Sequence, residues 1–282
     1  MGNANKSKKL EKEVNKRKSK RRLSWNGKCI LCIGLSMVGT LFFFIIPYIR
    51  VLYYSLIDNQ FRRNFVGLAN FIETLRNKYF LLALKNSLLL IVVCVPILIL
   101  LALFISLALA YGIRMLKATR VAFILPMILP TASIVLVWRT VFQGNETVLP
   151  IYTLFIWKNI GICIVLLTAA FTSIDKEIYE AASLDGTGSF QLHRYITVPL
   201  IAPTLLFTVL LSIVNSFKVF KESYQYFGGK YPPESSYTLQ YYMNNNFLKL
   251  DYQALATGAI LTSILIFLIV LAGLALQRRF YK

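Results

Sequence analysis

Apolar residues in this chain gather into long blocks instead of recurring at the spacing of an amphipathic helix or strand. The blocks lie near residues 29–49, 88–109, 121–142, 151–171, 200–217 and 254–276. Most are close to the ~20 residues that a helix needs to cross the hydrocarbon core of a bilayer. In lipid a helix satisfies its own backbone N–H and C=O groups, so such runs are read as helical. The pattern predicts an all-α polytopic membrane protein with about six transmembrane helices. Proline punctuates it. Pro96 is expected to kink the second span, and Pro126 and Pro130 to break the third along one face. Pro199 is expected to open the fifth span, where its missing N–H costs nothing.

The polar stretches between the blocks set the orientation. Residues 1–28 carry eleven Lys and Arg and no apolar period, which predicts a basic tail distinct from the membrane domain 29–282. With the N-terminus in the cytoplasm, residues 1–28, 112–120, 172–198 and 277–282 fall on the inner side and hold 19 of the 31 Lys and Arg residues. This is the bias expected of cytoplasmic loops, and an even number of spans returns the C-terminus to the same side. Trp157 and Lys158 are expected near the outer interface, and residues 218–253, rich in Tyr, Asn and Pro, form a long outer loop.

Composition agrees and narrows the choices. The 282 residues are 57% hydrophobic with a mean hydropathy of +0.61, too apolar for an ordinary soluble domain. The net charge of +19 owes much to the basic tail, which holds one aromatic residue, Trp25, too few to stack bases. Contact with anionic lipid is the expected role of the tail, and no nucleic-acid partner is expected. Cys29 and Cys32 have CxxC spacing, but no second Cys or His pair completes a metal site. They read as small apolar helix residues.

The most structured polar stretch is the insert 172–198. Asp175 to Leu184 reads as a short helix capped by Ser173 or Asp175, with Ile178, Ala181 and Ala182 on one side at helical spacing. Gly186 follows where a left-handed residue closes a helix, and Ser189 is placed to cap a second short helix. A small-residue face ending in a glycine turn suits close docking on another protein. A tightly packed connector accounts for it equally well on geometry alone.

Glu180-Ala181-Ala182, then Gly186, then Ile196-Thr197-Val198-Pro199 resemble the EAA signature of ABC-importer membrane subunits: E-A-A, three residues, G, nine residues, I-x-L-P. Val198 stands where that family prefers Leu. Phe65-Val66-Gly67-Leu68 with Asn70-Phe71, then Arg120, Leu125-Pro126, Trp138 and Trp157-Lys158, are similar to the carbohydrate permeases within it. The segment that usually contains GGP is altered here to Gly228-Gly229-Lys230-Tyr231-Pro232. The resemblance implies a MetI-like permease fold in a bacterial plasma membrane, with the insert as a coupling helix. Glu180, Ala181, Ala182, Gly186, Ile196 and Pro199 would dock on a separate ABC ATPase. It also implies a second homologous permease, an extracellular solute-binding protein and a sugar substrate as partners. ATP and Mg would be bound by the partner ATPase and no cofactor by this chain.

The sequence holds no G-x-x-x-x-G-K-[ST], so this chain lacks the loop that cradles nucleotide phosphates and is not expected to be an enzyme. A secondary transporter would place coupling acids inside its spans, and none of the apolar blocks contains Asp or Glu. The single histidine, His193, sits beside Arg194 in the insert and reads as a surface group. A cytosolic insert that binds some partner other than an ATPase is the remaining alternative. Asn215, Phe217 and Lys218 are candidates for the substrate path, being polar or aromatic groups near a span end.

Overall fold

The computed structural model describes residues 33–34, 36–111, 117–184, 186–229 and 231–280. The basic tail 1–28, the cysteines Cys29 and Cys32, part of the loop 112–120, and Asp185 lie outside the described residues. The chain divides into two units, Met1–Tyr53 and Tyr54–Lys282.

Most of the described part of the first unit lies in helix α1, Ser36–Ser55, with a π-helical stretch at Leu41–Ile45. Phe42, Phe43 and Phe44 are all exposed, as expected of a helix whose surroundings are lipid or another chain.

The second unit begins with a loop closed by Asn70, whose Nδ2 donates to the carbonyls of Ser55 (3.0 Å) and Ile57 (2.9 Å). Helices α2 (Ala69–Arg76) and α3 (Lys78–Tyr111) follow, and α3 runs on through Pro96. The third apolar block is not one rod. It forms α4 (Lys117–Ile128) and α5 (Thr131–Val141), and their apolar parts meet at a bend of 104°. Pro126 stays buried inside α4, whereas Pro130, extended at ψ 129°, ends the helical path and restarts it as α5. A proline lacks the N–H that would continue the ladder and crowds the carbonyl four residues before it.

Helix α6 (Leu149–Thr172) is the central element: α3, α4 and α9 (Val198–Ser216) all pack on it. Leu98 and Ala102 of α3 meet Ile164 and Leu167 of α6 in one buried cluster. The Ser106 hydroxyl donates to the Ile164 carbonyl at 3.1 Å, a polar tie inside the apolar seam. At Gly161 the backbone of α4 passes so close that an added Cβ would lie 1.7 Å from the Phe123 carbonyl oxygen.

Residues 218–253, expected as a loop, are largely helical. They contain α10 (Phe220–Phe227), a 3₁₀ turn at Glu234–Ser236 and α11 (Leu239–Leu248), before α12 (Tyr252–Phe280) returns along the bundle. The many Tyr, Phe and Asn residues here have weak helix preference, so composition alone suggests a loop. Among the described residues, five helices are long and apolar enough to cross a membrane, or six with the bent α4–α5 pair counted as one span.

Candidate functional site

Two places in the second unit bring chemistry together: the insert after α6, and a polar cavity toward the opposite end of α6.

The insert folds from its own short-range signals. Helix α7 (Lys176–Leu184) starts after Asp175, whose carbonyl accepts the Ile178 N–H at 3.2 Å. Gly186 adopts φ +73°, the left-handed conformation, and beyond it the Thr187 N–H returns to the Ala182 carbonyl at 3.2 Å. Helix α8 (Ser189–Leu192) leads into a π turn, His193–Thr197, which continues directly into α9 with Pro199 in its first turn.

Thr197 is the internal pin of this insert and is almost fully buried. Its hydroxyl reaches the Leu192 carbonyl (3.4 Å) and shares hydrogen bonds with the Tyr179 hydroxyl and His193 Nδ1, each at 3.3 Å. His193 is therefore a half-buried bracing group and not the surface residue its neighbour Arg194 suggested. Among the motif positions, Ala182 is buried, Ile196 is partly buried, and Glu180, Ala181, Gly186 and Pro199 are exposed. The face expected from Ile178, Ala181 and Ala182 is thus divided: Ala182 packs inward while Ile178 and Ala181 face out. Leu184, which the sequence reading passed over, is 89% exposed at the glycine end of the same helix. A large apolar side chain immediately before a glycine turn was the signal available for it.

The cavity, about 280 Å³, lies where α4, α6, α9 and α10 approach one another. Its polar lining is Lys158 and Asn159 from α6, Asn215 from α9, Lys218, and Glu222 from α10, set among Met127, Leu154 and Phe155. Lys158 forms an ion pair with Glu222, and its Nζ also reaches the Thr131 hydroxyl (3.3 Å) at the start of α5. Asn215 Nδ2 donates to Asn159 Oδ1 at 3.2 Å. Both ionised groups are mostly shielded, at 19% and 13% exposure, so the pairing offsets a desolvation cost that neither charge meets alone.

Lys158 was expected at a lipid interface; the structure turns it inward to Glu222. Trp157 packs on Trp138 with ring centroids 4.8 Å apart and the ring planes tilted by 38°. Of the three substrate-path candidates, Asn215 and Lys218 line the cavity. Phe217 is instead buried in a separate aromatic cluster with Phe80, Tyr237, Tyr241 and Tyr242. Asn159 and Glu222 were missed, because each gains its meaning only from a partner distant in sequence. Among the described residues, no cluster of His, Cys, Asp and Glu could hold a metal ion.

Residues 99–282 match the family described as binding-protein-dependent transport system inner membrane component. The osmoprotective compounds uptake permease protein GgtC of Synechocystis sp. is 27% identical, with 84% of this chain and 93% of that protein aligned. The arabinooligosaccharides transport system permease protein AraP of Bacillus subtilis is also 27% identical, over 84% of this chain and 83% of that protein. The lactose transport system permease protein LacF of Rhizobium radiobacter is 26% identical, over 80% and 84%. The fold is shared with a bacterial alginate ABC transporter solved in complex with an alginate pentasaccharide-bound periplasmic protein. That likeness has a TM-score of 0.70 at 21% identity and covers 93% of this chain and 98% of that one.

Proposed function

The chain belongs to the inner membrane components of binding-protein-dependent transport systems and is a multi-pass permease subunit of an ABC importer; from that premise we propose how it is coupled and what it carries. The insert 172–198 docks on a separate ATPase subunit through its exposed face: Glu180, Ala181, Leu184 and the turn at Gly186, with Ile196 and Pro199 behind it. The observation that carries this reading is the combination of an exposed helix face ending in a glycine turn with an internal brace. A docking element transmits force only if it does not deform, and the Tyr179–Thr197–His193 contacts tie α7 to the π turn.

That turn leads straight into the helical stretch His193–Phe227. Thr197 and Asn215 are 18 residues apart along it, or about 27 Å of helix at 1.5 Å per residue. A displacement of the insert is thereby delivered to one wall of the cavity. ATP and Mg are bound by the partner, and their binding shifts the equilibrium between pathway states only through contacts that differ between those states. A second permease of similar fold completes the path, and both termini face the cytoplasm with the insert.

The cargo is a sugar or oligosaccharide, delivered by an extracellular solute-binding protein. The names of AraP and LacF support the class, and so does the chemistry of the cavity. With Lys158 and Glu222 paired, the lining carries little net field apart from Lys218 and offers the amides of Asn159 and Asn215. Amides donate and accept, as vicinal hydroxyl groups require.

Gly186→Leu tests the docking. Among the described residues no atom outside its immediate neighbours lies within 4 Å of a Cβ at this position, which leaves room for a side chain. The left-handed backbone costs a non-glycine residue about 1 kcal/mol, less for Asn. Gly186→Leu is expected to abolish ATPase co-purification and uptake at normal membrane insertion, whereas Gly186→Asn retains a measurable share of both. Full ATPase association in the Leu variant overturns the docking surface.

A further inference from the structure

We propose that the Tyr- and Asn-lined pocket between the start of α3 and the segment 231–249 is a second carbohydrate site, distinct from the cavity at Lys158 and Glu222, that holds one or two neutral sugar rings before they enter the path. The proposal rests on the sugar-importer reading above. It concerns a different place in the molecule, at the far end of the bundle from the insert.

The pocket has a volume of about 320 Å³, and Tyr79, Tyr231, Tyr237, Asn77 and Asn246 are among its lining residues. Its floor is built, not incidental. Asn86, buried inside α3, donates from Nδ2 to the carbonyls of Glu234 (2.6 Å) and Tyr237 (2.9 Å), about 150 residues away. The neighbouring Ser87 hydroxyl accepts the Leu239 N–H at 3.0 Å. Two buried polar side chains of a mainly apolar helix are thus committed to holding this one loop in place. Buried polar groups are costly unless satisfied, and here they are satisfied by fixing the pocket wall.

On this floor the aromatic groups are graded from buried to open. Tyr237 and Tyr242 are buried, and their hydroxyls are pushed above the usual phenol range by that burial, so near neutral pH they remain donors. Tyr79 and Tyr231 stand at the rim at 67% and 77% exposure, and the Tyr79 ring meets Tyr237 edge to face at 6.4 Å. Exposed tyrosines over a preformed polar floor suit a sugar. The C–H face of a pyranose covers the ring plane, and its hydroxyls reach amides and phenols. Asn77 Oδ1 accepts the N–H groups of Tyr79 and Phe80 at the start of α3, and no partner of its Nδ2 is present among the described residues. That amino group is available to a ligand hydroxyl. Among the described residues Glu234 and Lys249, both on the pocket lining, form no ion pair, and one of each sign leaves the pocket without a strong preference for a charged guest.

The test is photolabelling of the assembled transporter in lipid nanodiscs with a panel of azidophenyl glycosides (gluco, galacto and arabino), with unlabelled disaccharides as competitors and peptide mapping as the readout. The expected result is competable label on peptides from 77–82 or 231–249. Tyr231→Ala and Tyr79→Ala, both at exposed positions and so neutral for folding, are each expected to reduce it about five-fold, with complex assembly unchanged. Competable label confined to peptides bearing Lys158, Asn159 or Asn215 overturns the second site while leaving the transport reading intact. Absence of competable label from both regions with every glycoside overturns both. Label at 231–249 that the tyrosine variants do not reduce also overturns the proposed binding mode.

Discussion

Lys158 and Glu222 are 64 positions apart, yet their side chains pair across the cavity and Lys158 also touches Thr131. At 19% and 13% exposure the two charges are largely withdrawn from water. Removing one leaves the other uncompensated, while removing both removes the problem. Lys158→Met is therefore expected to destabilise the detergent-solubilised subunit by about 2 kcal/mol, less than for a fully buried pair because water still reaches both groups. Lys158→Met with Glu222→Met is expected to recover most of that loss in the same chemical denaturation measurement. A double variant no better than the single one would show that the pair contributes nothing as a pair. At this scale the sequence was readable for Gly186, where a left-handed helix end has a local signature. It was misleading for His193, whose role is set by Thr197 and, through it, by Tyr179 across the insert.

Among the elements, the third apolar block and the α4–α6 crossing teach different lessons. Pro126 and Pro130 were both visible as breaks, but only the fold decides that one is absorbed within a helix and the other turns the chain by 104°. Proline removes a donor wherever it sits; whether the path then bends depends on what packs against each half. Gly161 had no local signature at all. Its reason is the Phe123 carbonyl, which occupies the space a Cβ would need. Gly161→Ala is expected to push α4 off α6 and lower stability by about 1–3 kcal/mol, the usual cost of overpacking. The melting temperature of the purified subunit measures this. Gly34→Ala, at a position where no atom of the described residues lies within 4 Å of an added Cβ, is the control expected to change little.

Across the whole molecule, the aromatic cluster at the far end makes a pH prediction. Burial raises the hydroxyl pKa of Tyr237, Tyr241 and Tyr242, and Tyr241, hydrogen-bonded to the Ser223 hydroxyl at 3.2 Å, is pushed up to about 12 from 10.0. The folded state favours the neutral phenol, so the unfolded chain loses its protons first. The stabilisation is fully present below pH 10 and is lost as the pH rises toward about 12. The thermal midpoint of the solubilised transporter should fall across that window, with phenolate absorbance rising in step, and Tyr241→Phe should flatten part of the fall. A flat midpoint through the window would count against a packed tyrosine cluster.

The sequence by itself determined the class of the molecule: helical, polytopic, with a folded polar insert closed by a glycine turn. These properties depend on runs of residue type and on spacings of a few positions, which local physics reads directly. Tertiary structure alone decided that Lys158 faces Glu222 and not lipid, that Phe217 belongs to a core and not to the cavity, and that Asn86 holds the loop around Tyr237. Each of these depends on a contact between segments far apart in the chain, and no local pattern specifies which distant side chain will arrive.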